Sequence, residues 1–175
     1  MRDYSDYSVT KVSDLRELLY RSVELYGSKI AFQRSNEDIS YHRFRTDVLC
    51  VAGALHSRAR CFFQVSVDDS YLFAVAYFAT VLTDNIADLL DTRHSPPGIE
   101  PPPITEDLTK QKVLQMLSVS PISDDMLPLP NADSLCTIIY SSGTTSAAKG
   151  IMLSQKNLCC DVVGGLWIRY IQRNI

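Results

Sequence analysis

The chain has 175 residues, of which 46% are apolar and 21% charged, enough for one domain with its own core. Its net charge is −3, from 17 Lys and Arg against 20 Asp and Glu, so a general attraction to phosphate backbones or anionic membranes is excluded and no nucleic-acid partner is expected. The longest apolar run, Tyr71 to Leu82, holds 12 residues where a bilayer span needs roughly 20, and the polar start has no signal-peptide pattern. A soluble, cytoplasmic protein without a membrane span is predicted.

Five cysteines (Cys50, Cys61, Cys136, Cys159, Cys160) are odd in number, form no Cys-x-x-Cys and sit mostly in apolar segments, which predicts reduced, buried thiols. His42, His56 and His94 show no metal-ligand spacing, and no Asn-x-Ser/Thr sequon occurs.

In chain order, Leu15, Leu18, Leu19, Val23 and Tyr26 recur at helical spacing after Ser13-Asp14, and Gly27 predicts a left-handed C-cap. Ile30 to Arg34 and Ile39 to Tyr41 read as short strands, and Phe44, Val48, Val51, Ala52 and Leu55 outline a second helix. Cys61 to Val67 reads as a strand, Asp68-Asp69-Ser70 as a cap, Tyr71 to Leu82 as an apolar helix and Asn85 to Leu90 as a strand. Residues 61–133 hold 3 basic and 11 acidic side chains, and all eight prolines fall between Pro96 and Pro130. Residues 92–133 therefore predict an acidic, proline-rich linker or arm, with one short helix over Glu106 to Leu117 and a plain extended spacer at Pro101-Pro-Pro103. The flanks, residues 1–91 and 134–175, predict α/β layers with a largely parallel sheet.

After the expected strand Leu135 to Tyr140, the segment Tyr140-Ser-Ser-Gly-Thr-Thr-Ser-Ala-Ala-Lys-Gly150 packs five hydroxyl side chains after the tyrosine, two glycines and one lysine between apolar runs. A strand Ile151 to Leu153 and a helix from about Gln155, capped by Ser154, follow. Glycine lets backbone approach an anion, N–H and hydroxyl groups donate to phosphate oxygens, and Lys149 adds a mobile positive charge. The physical reading is a polyphosphate cradle. It is neither a Walker A loop, because Ala148 and Gly150 break the Gly-Lys-Ser/Thr ending, nor Gly-x-Gly-x-x-Gly.

These residues resemble the adenylate-forming (AMP-binding) enzymes, whose signature runs Tyr-Thr/Ser-Ser-Gly-Thr-Thr-Gly-x-Pro-Lys-Gly-Val/Ile, then an apolar pair and Ser/Thr-His-x-Asn. Tyr140 to Asn157 follows that pattern except at Ser146 for Gly, Ala148 for Pro and Gln155 for His. Upstream, Leu15 to Leu55 resembles the family's entry, while Asp84 stands where a glycine is usual and Asp88-Leu89 where Val-Pro is.

The resemblance implies an incomplete layered α/β subdomain with a largely parallel sheet, as at the N-terminus of AMP-binding enzymes. It implies attack of a small-molecule carboxylate on the α-phosphate of Mg-ATP to give an acyl-adenylate and pyrophosphate, commonly followed by thioester formation with CoA, as in acyl-CoA synthetases. Ser141, Ser142, Gly143, Thr144, Thr145, Ser146, Lys149 and Gly150 would then form the phosphate site, with Gly143 and Gly150 giving the loop its reach. The chain ends at Ile175, without the Tyr-Gly-x-Thr-Glu, Thr-Gly-Asp and Gly-Arg-x-x-x-x-Ile-Lys segments the family carries downstream. It is expected to be an N-terminal fragment or truncated homologue, inactive alone and poorly soluble; the alternative is a diverged, non-catalytic phosphate-binding or interaction module.

The remaining features read blandly. The pairs Asp68-Asp69, Glu106-Asp107 and Asp124-Asp125 are expected to cap helices or face solvent, and Tyr71, Phe73, Tyr77 and Phe78 to pack a helix. Cys159-Cys160 are placed on the apolar side of the last helix, where Gly164-Gly165 would mark a bend or close contact.

Overall fold

The computed structural model describes residues 12–56, 60–89, 105–141 and 149–160. Pro101-Pro-Pro103, His94, Gly164-Gly165 and most of the polar loop, residues 142–148, lie outside the described residues.

Helix α1 (Leu15–Tyr26) starts where Asp14 accepts the Glu17 N–H at 2.9 Å, while Glu17 reaches back to the Ser13 N–H at 2.8 Å, a reciprocal cap. Leu15 and Leu19 turn inward. The expected left-handed cap at Gly27 does not form: its backbone is right-handed, with φ −41° and ψ −48°. Glycine serves another purpose there, since a Cβ would lie 2.2 Å from the His42 imidazole. Strands β1 (Ile30–Gln33) and β2 (Asp38–Ser40) pair antiparallel and lead into α2 (Tyr41–Leu55), capped by Ser40.

Strand β3 (Phe62–Ser66), helix α3 (Ser70–Leu82) and strand β4 (Ile86–Asp88) form a parallel unit. Asp69 caps α3, accepting the Tyr71 and Leu72 N–H groups at 3.1 and 3.0 Å, and also meets Arg34 at 2.6 Å. Residues 105–133 of the expected linker or arm are built into this body. Thr105–Thr109 is strand β5, parallel to β3, and Lys110–Met116 is helix α4, so the expected Glu106 to Leu117 helix is divided between two elements. Leu108, Val113, Ile122 and Leu127 are buried, and apolar residues spaced between the prolines carry this docking. A 3-10 turn at Asp124–Met126 is tied down by Asp124, which accepts from Tyr20 and Arg45 at 2.6 Å each.

Strand β6 (Leu135–Ser141) lies parallel to β4, and β7 (Lys149–Ser154) returns antiparallel to β6, giving a five-stranded sheet in the order β5-β3-β4-β6-β7. The largely parallel α/β sheet matches the expectation. Helix α5 covers residues 155–160 within the described part. Phe63, Val65, Ala87 and Leu108 from the strands meet Leu72, Val75 and Ala79 of α3, Val48, Val51 and Leu55 of α2, and Val113 of α4 in one buried cluster. The Tyr77 hydroxyl, 2.8 Å from Thr137 Oγ1, and the edge-on Phe44–Phe78 pair confirm a packing role for the aromatic stripe.

One buried polar group joins α2 to α3. The Tyr71 hydroxyl donates to Asp47 Oδ2 at 2.5 Å and Arg43 Nε to Asp47 Oδ1 at 2.8 Å. Burial, and then Asp47, raise the Tyr71 phenol well above its usual range, so it remains a donor at any physiological pH. Four cysteines are buried and free; Cys160, expected on the apolar side, is exposed, because only Cys159 of the pair falls on the packed face of α5. Burial pushes the Cys159 thiol up to about 11, which keeps it in the unreactive thiol form. Among the described residues no helix is long and apolar enough to cross a membrane.

Asp84, in the turn between α3 and β4, is the one described non-glycine residue with positive φ, at 58°. It occupies the position where the resemblance places a glycine. Its carbonyl accepts from Arg60 Nε at 2.8 Å, which holds the turn but does not remove the left-handed steric cost. Asp84→Gly is expected to raise stability by about 0.5 kcal/mol and Asp84→Val to lower it by about 1–2 kcal/mol, read from urea unfolding.

Candidate phosphate-binding site

The site forms at the carboxyl end of the parallel strands, the usual ligand edge of an open α/β sheet. Strand β6 delivers Tyr140 and Ser141 to that edge. Strand β7 starts beside them, with Lys149 paired to Ser141 and Gly150 to Tyr140 in the antiparallel register. The hairpin thus brings Ser141 and Lys149 side by side at that edge.

Of the expected site residues, Lys149 and Gly150 are described fully and Ser141 as backbone. Ser142, Gly143, Thr144, Thr145 and Ser146 lie outside the described residues. Lys149 is exposed and makes no ion pair with a described residue, which leaves its ammonium available to an anion at the sheet edge. Gly150 sits within β7, and a Cβ there would make ordinary contacts of 3.5 Å with Ile138 Cγ2 and Tyr140 Cε1. Its glycine identity is therefore not demanded by space at that strand position.

The hairpin is anchored from behind. Asn157 Oδ1 accepts from the Ser154 N–H at 3.0 Å and from its hydroxyl at 2.9 Å, and the Asn157 N–H donates to Ser154 Oγ at 3.3 Å, so the expected Ser154 cap is present. Gln155, which replaces the histidine of the resembling pattern, is buried and accepts the Leu15 N–H at 3.1 Å, so one contact ties the start of α1 to the start of α5. The Lys156 N–H donates to the Ala132 carbonyl at 2.8 Å. No local pattern reveals that a glutamine beside a phosphate motif satisfies a helix start 140 residues away.

Two further residues reach this edge without having been expected in the site. Tyr140 lies half-buried beside Asp88, and burial together with that carboxylate pushes its phenol up to about 12. Asp88, the last residue of β4, is fully buried. Its departure from a Val-Pro pattern is the sequence signal that could have marked it. Among the described residues no group of three or more His, Cys, Asp or Glu side chains is placed to hold a metal ion.

Residues 99–173 match the family model described as AMP-binding enzyme. The fold is similar to the Klebsiella oxytoca NpsA N-terminal subdomain, with a TM-score of 0.71 at 11% identity, covering 86% of this chain and 44% of that one. It is also similar to ATP-bound MatB from Rhodopseudomonas palustris, with a TM-score of 0.68 at 21% identity over 85% and 36% of the two chains. A third similar structure is the anthranilate CoA ligase AuaEII in complex with anthranoyl-AMP, with a TM-score of 0.64 at 16% identity over 82% and 35%. No curated protein matches in sequence. The chain spans less than half the length of these solved chains. Motif, family match and fold agree: this chain has the architecture of the N-terminal part of adenylate-forming enzymes.

Because a Cβ fits at position 150, Gly150→Ala is expected to change stability by less than about 1 kcal/mol. Urea unfolding and circular dichroism check this; a loss of more than about 2 kcal/mol would show that the strand needs glycine there.

Proposed function

We propose that the chain supplies the ATP-phosphate lobe of an AMP-forming carboxylate ligase. The observation that carries this reading is the β6–β7 register, which sets the exposed Lys149 opposite Ser141 at the ligand edge of the sheet, at the two ends of a hydroxyl-rich loop. The substrate is read as Mg-ATP. Ser141, Ser142, Thr144, Thr145 and Ser146 donate to the β- and γ-phosphate oxygens, Gly143 lets the backbone approach them, and Lys149 and Gly150 close the cradle.

In the complete reaction a carboxylate oxygen attacks the α-phosphorus and the bond to the bridging oxygen of pyrophosphate breaks. Charge then grows on the leaving pyrophosphate, where Lys149 and the loop donors stabilise it. The acid is read as an acyl or aryl carboxylate, with a fatty acid passed to CoA as the finer form. CoA ligation is supported by analogy with AuaEII, whose name records it. The second reading, a phosphate-binding or interaction module without turnover, draws on Ser146 and Ala148 within the motif and on the left-handed Asp84.

Calorimetric titration with Mg-ATP and with pyrophosphate tests the cradle. Lys149→Ala is expected to weaken binding about tenfold or more, the worth of one charge-assisted contact, with unchanged circular dichroism. Equal affinity in the variant would contradict the reading. ATP–pyrophosphate exchange with a panel of carboxylates then separates ligase from module.

A further inference from the structure

We propose that Asp88 is a positioning residue for the β6–β7 edge of the phosphate site, acting through Tyr140 near the end of β6; this rests on the phosphate-lobe reading. Asp88 ends β4, the middle strand of the five, and none of its surface reaches solvent. It pairs with Ile138 of β6, and the next N–H, that of Leu89, donates to the Ile138 carbonyl at 2.9 Å. Side chains two apart on a strand share a face, so Tyr140 stands on the face of Ile138 and beside Asp88. From the β7 side, the space over Gly150 is closed by the same ring, with Cε1 3.5 Å from where a Cβ would stand. The Tyr140 ring is thus bracketed between a carboxylate on one neighbouring strand and a glycine on the other.

Burying a carboxylate in the middle of a sheet carries a desolvation cost that an apolar side chain would avoid, so packing alone does not call for aspartate. Beside it, Tyr140 stays a neutral phenol at physiological pH and offers its O–H as a donor. Held from both sides, the ring fixes the end of β6 against the start of β7. Removing the carboxylate leaves the ring free to turn at the strand end where Ser141 is paired with Lys149. Sites that gather several donors on one anion lose affinity when their supporting contacts slacken.

The test uses the whole 175-residue chain, with pyrophosphate as the ligand in calorimetric titrations of wild type, Asp88→Asn, Tyr140→Phe and the double variant. Each single change is expected to weaken pyrophosphate binding about fivefold, and the double change to cost no more than the larger single one. In parallel, ring-carbon NMR of 13Cζ-labelled tyrosine at neutral pH is expected to show the Tyr140 signal displaced in Asp88→Asn, with the other eight tyrosines in place. Additive losses, unchanged affinity or an unmoved Tyr140 signal would each overturn the proposal. If Asp88→Asn does not fold, Tyr140→Phe decides: a fivefold loss supports the proposal and unchanged affinity overturns it. Additive effects alongside a loss in Lys149→Ala would remove Asp88 from the account but leave the phosphate lobe. A wild-type chain that binds no pyrophosphate would overturn the phosphate-lobe reading and the proposal together.

Discussion

The antiparallel pairing of Lys149–Ser154 with Leu135–Ser141 is the constraint on which the candidate site depends. Every other pairing in the five-stranded sheet is parallel, and parallel strands need long crossovers, whereas a hairpin returns the chain to the edge it has just left. Only that return brings a lysine to the strand end that carries Tyr140 and Ser141. Strand side chains alternate, so a slip of one residue in this register would send Lys149 to the opposite face and move Gly150 away from the Tyr140 ring. The register is held from the far side of the hairpin by the Ser154–Asn157 pair, by Lys156 on the Ala132 carbonyl and by Gln155 on the start of α1. Helix α1 and the far end of the β6–β7 hairpin are therefore tied together.

The sheet beneath it is stabilised in an ordinary way. Phe63, Val65, Ala87 and Leu108 give the strands one apolar face, and α2, α3 and α4 cover it. Polar groups inside this layer find partners: Asp47 accepts from Tyr71 and Arg43, Asn85 from the Cys61 N–H at 3.0 Å, and Tyr77 pairs with Thr137. The opposite edge is where the composition changes. There a buried aspartate, a half-buried tyrosine and an exposed lysine come within a few strand positions of one another, which an entirely structural edge would not require.

Much of the fold was legible because it rests on local periodicity. The 3.6-residue spacing of Leu15, Leu19 and Tyr26 and the Phe- and Val-rich run after Cys61 name their elements directly, and Asp14 and Asp69 mark helix starts by hydrogen bonds to nearby N–H groups. What was not legible depends on distant partners. Prolines and acidic residues made 105–133 read as an arm, yet Leu108, Val113, Ile122 and Leu127 meet a core supplied by other segments. Gly27 read as a left-handed cap because its neighbour His42 is invisible at short range. Asp88 was noted only as a departure, since nothing in a strand of three residues says that a tyrosine stands beside it. The loop is read as an anion site from its composition, hydroxyls, glycines and a lysine at high density, and its residues 142–148 lie outside the described residues.

The central claim is that the hairpin edge, rather than some other surface, meets a polyphosphate. Hydrogen–deuterium exchange of the whole chain with and without pyrophosphate tests it most directly. The account predicts slowed exchange in peptides covering residues 140–150, with the β1–β2 pair and α4 unchanged. Protection confined to another surface, or none at residues 140–150 under saturating pyrophosphate, would contradict it.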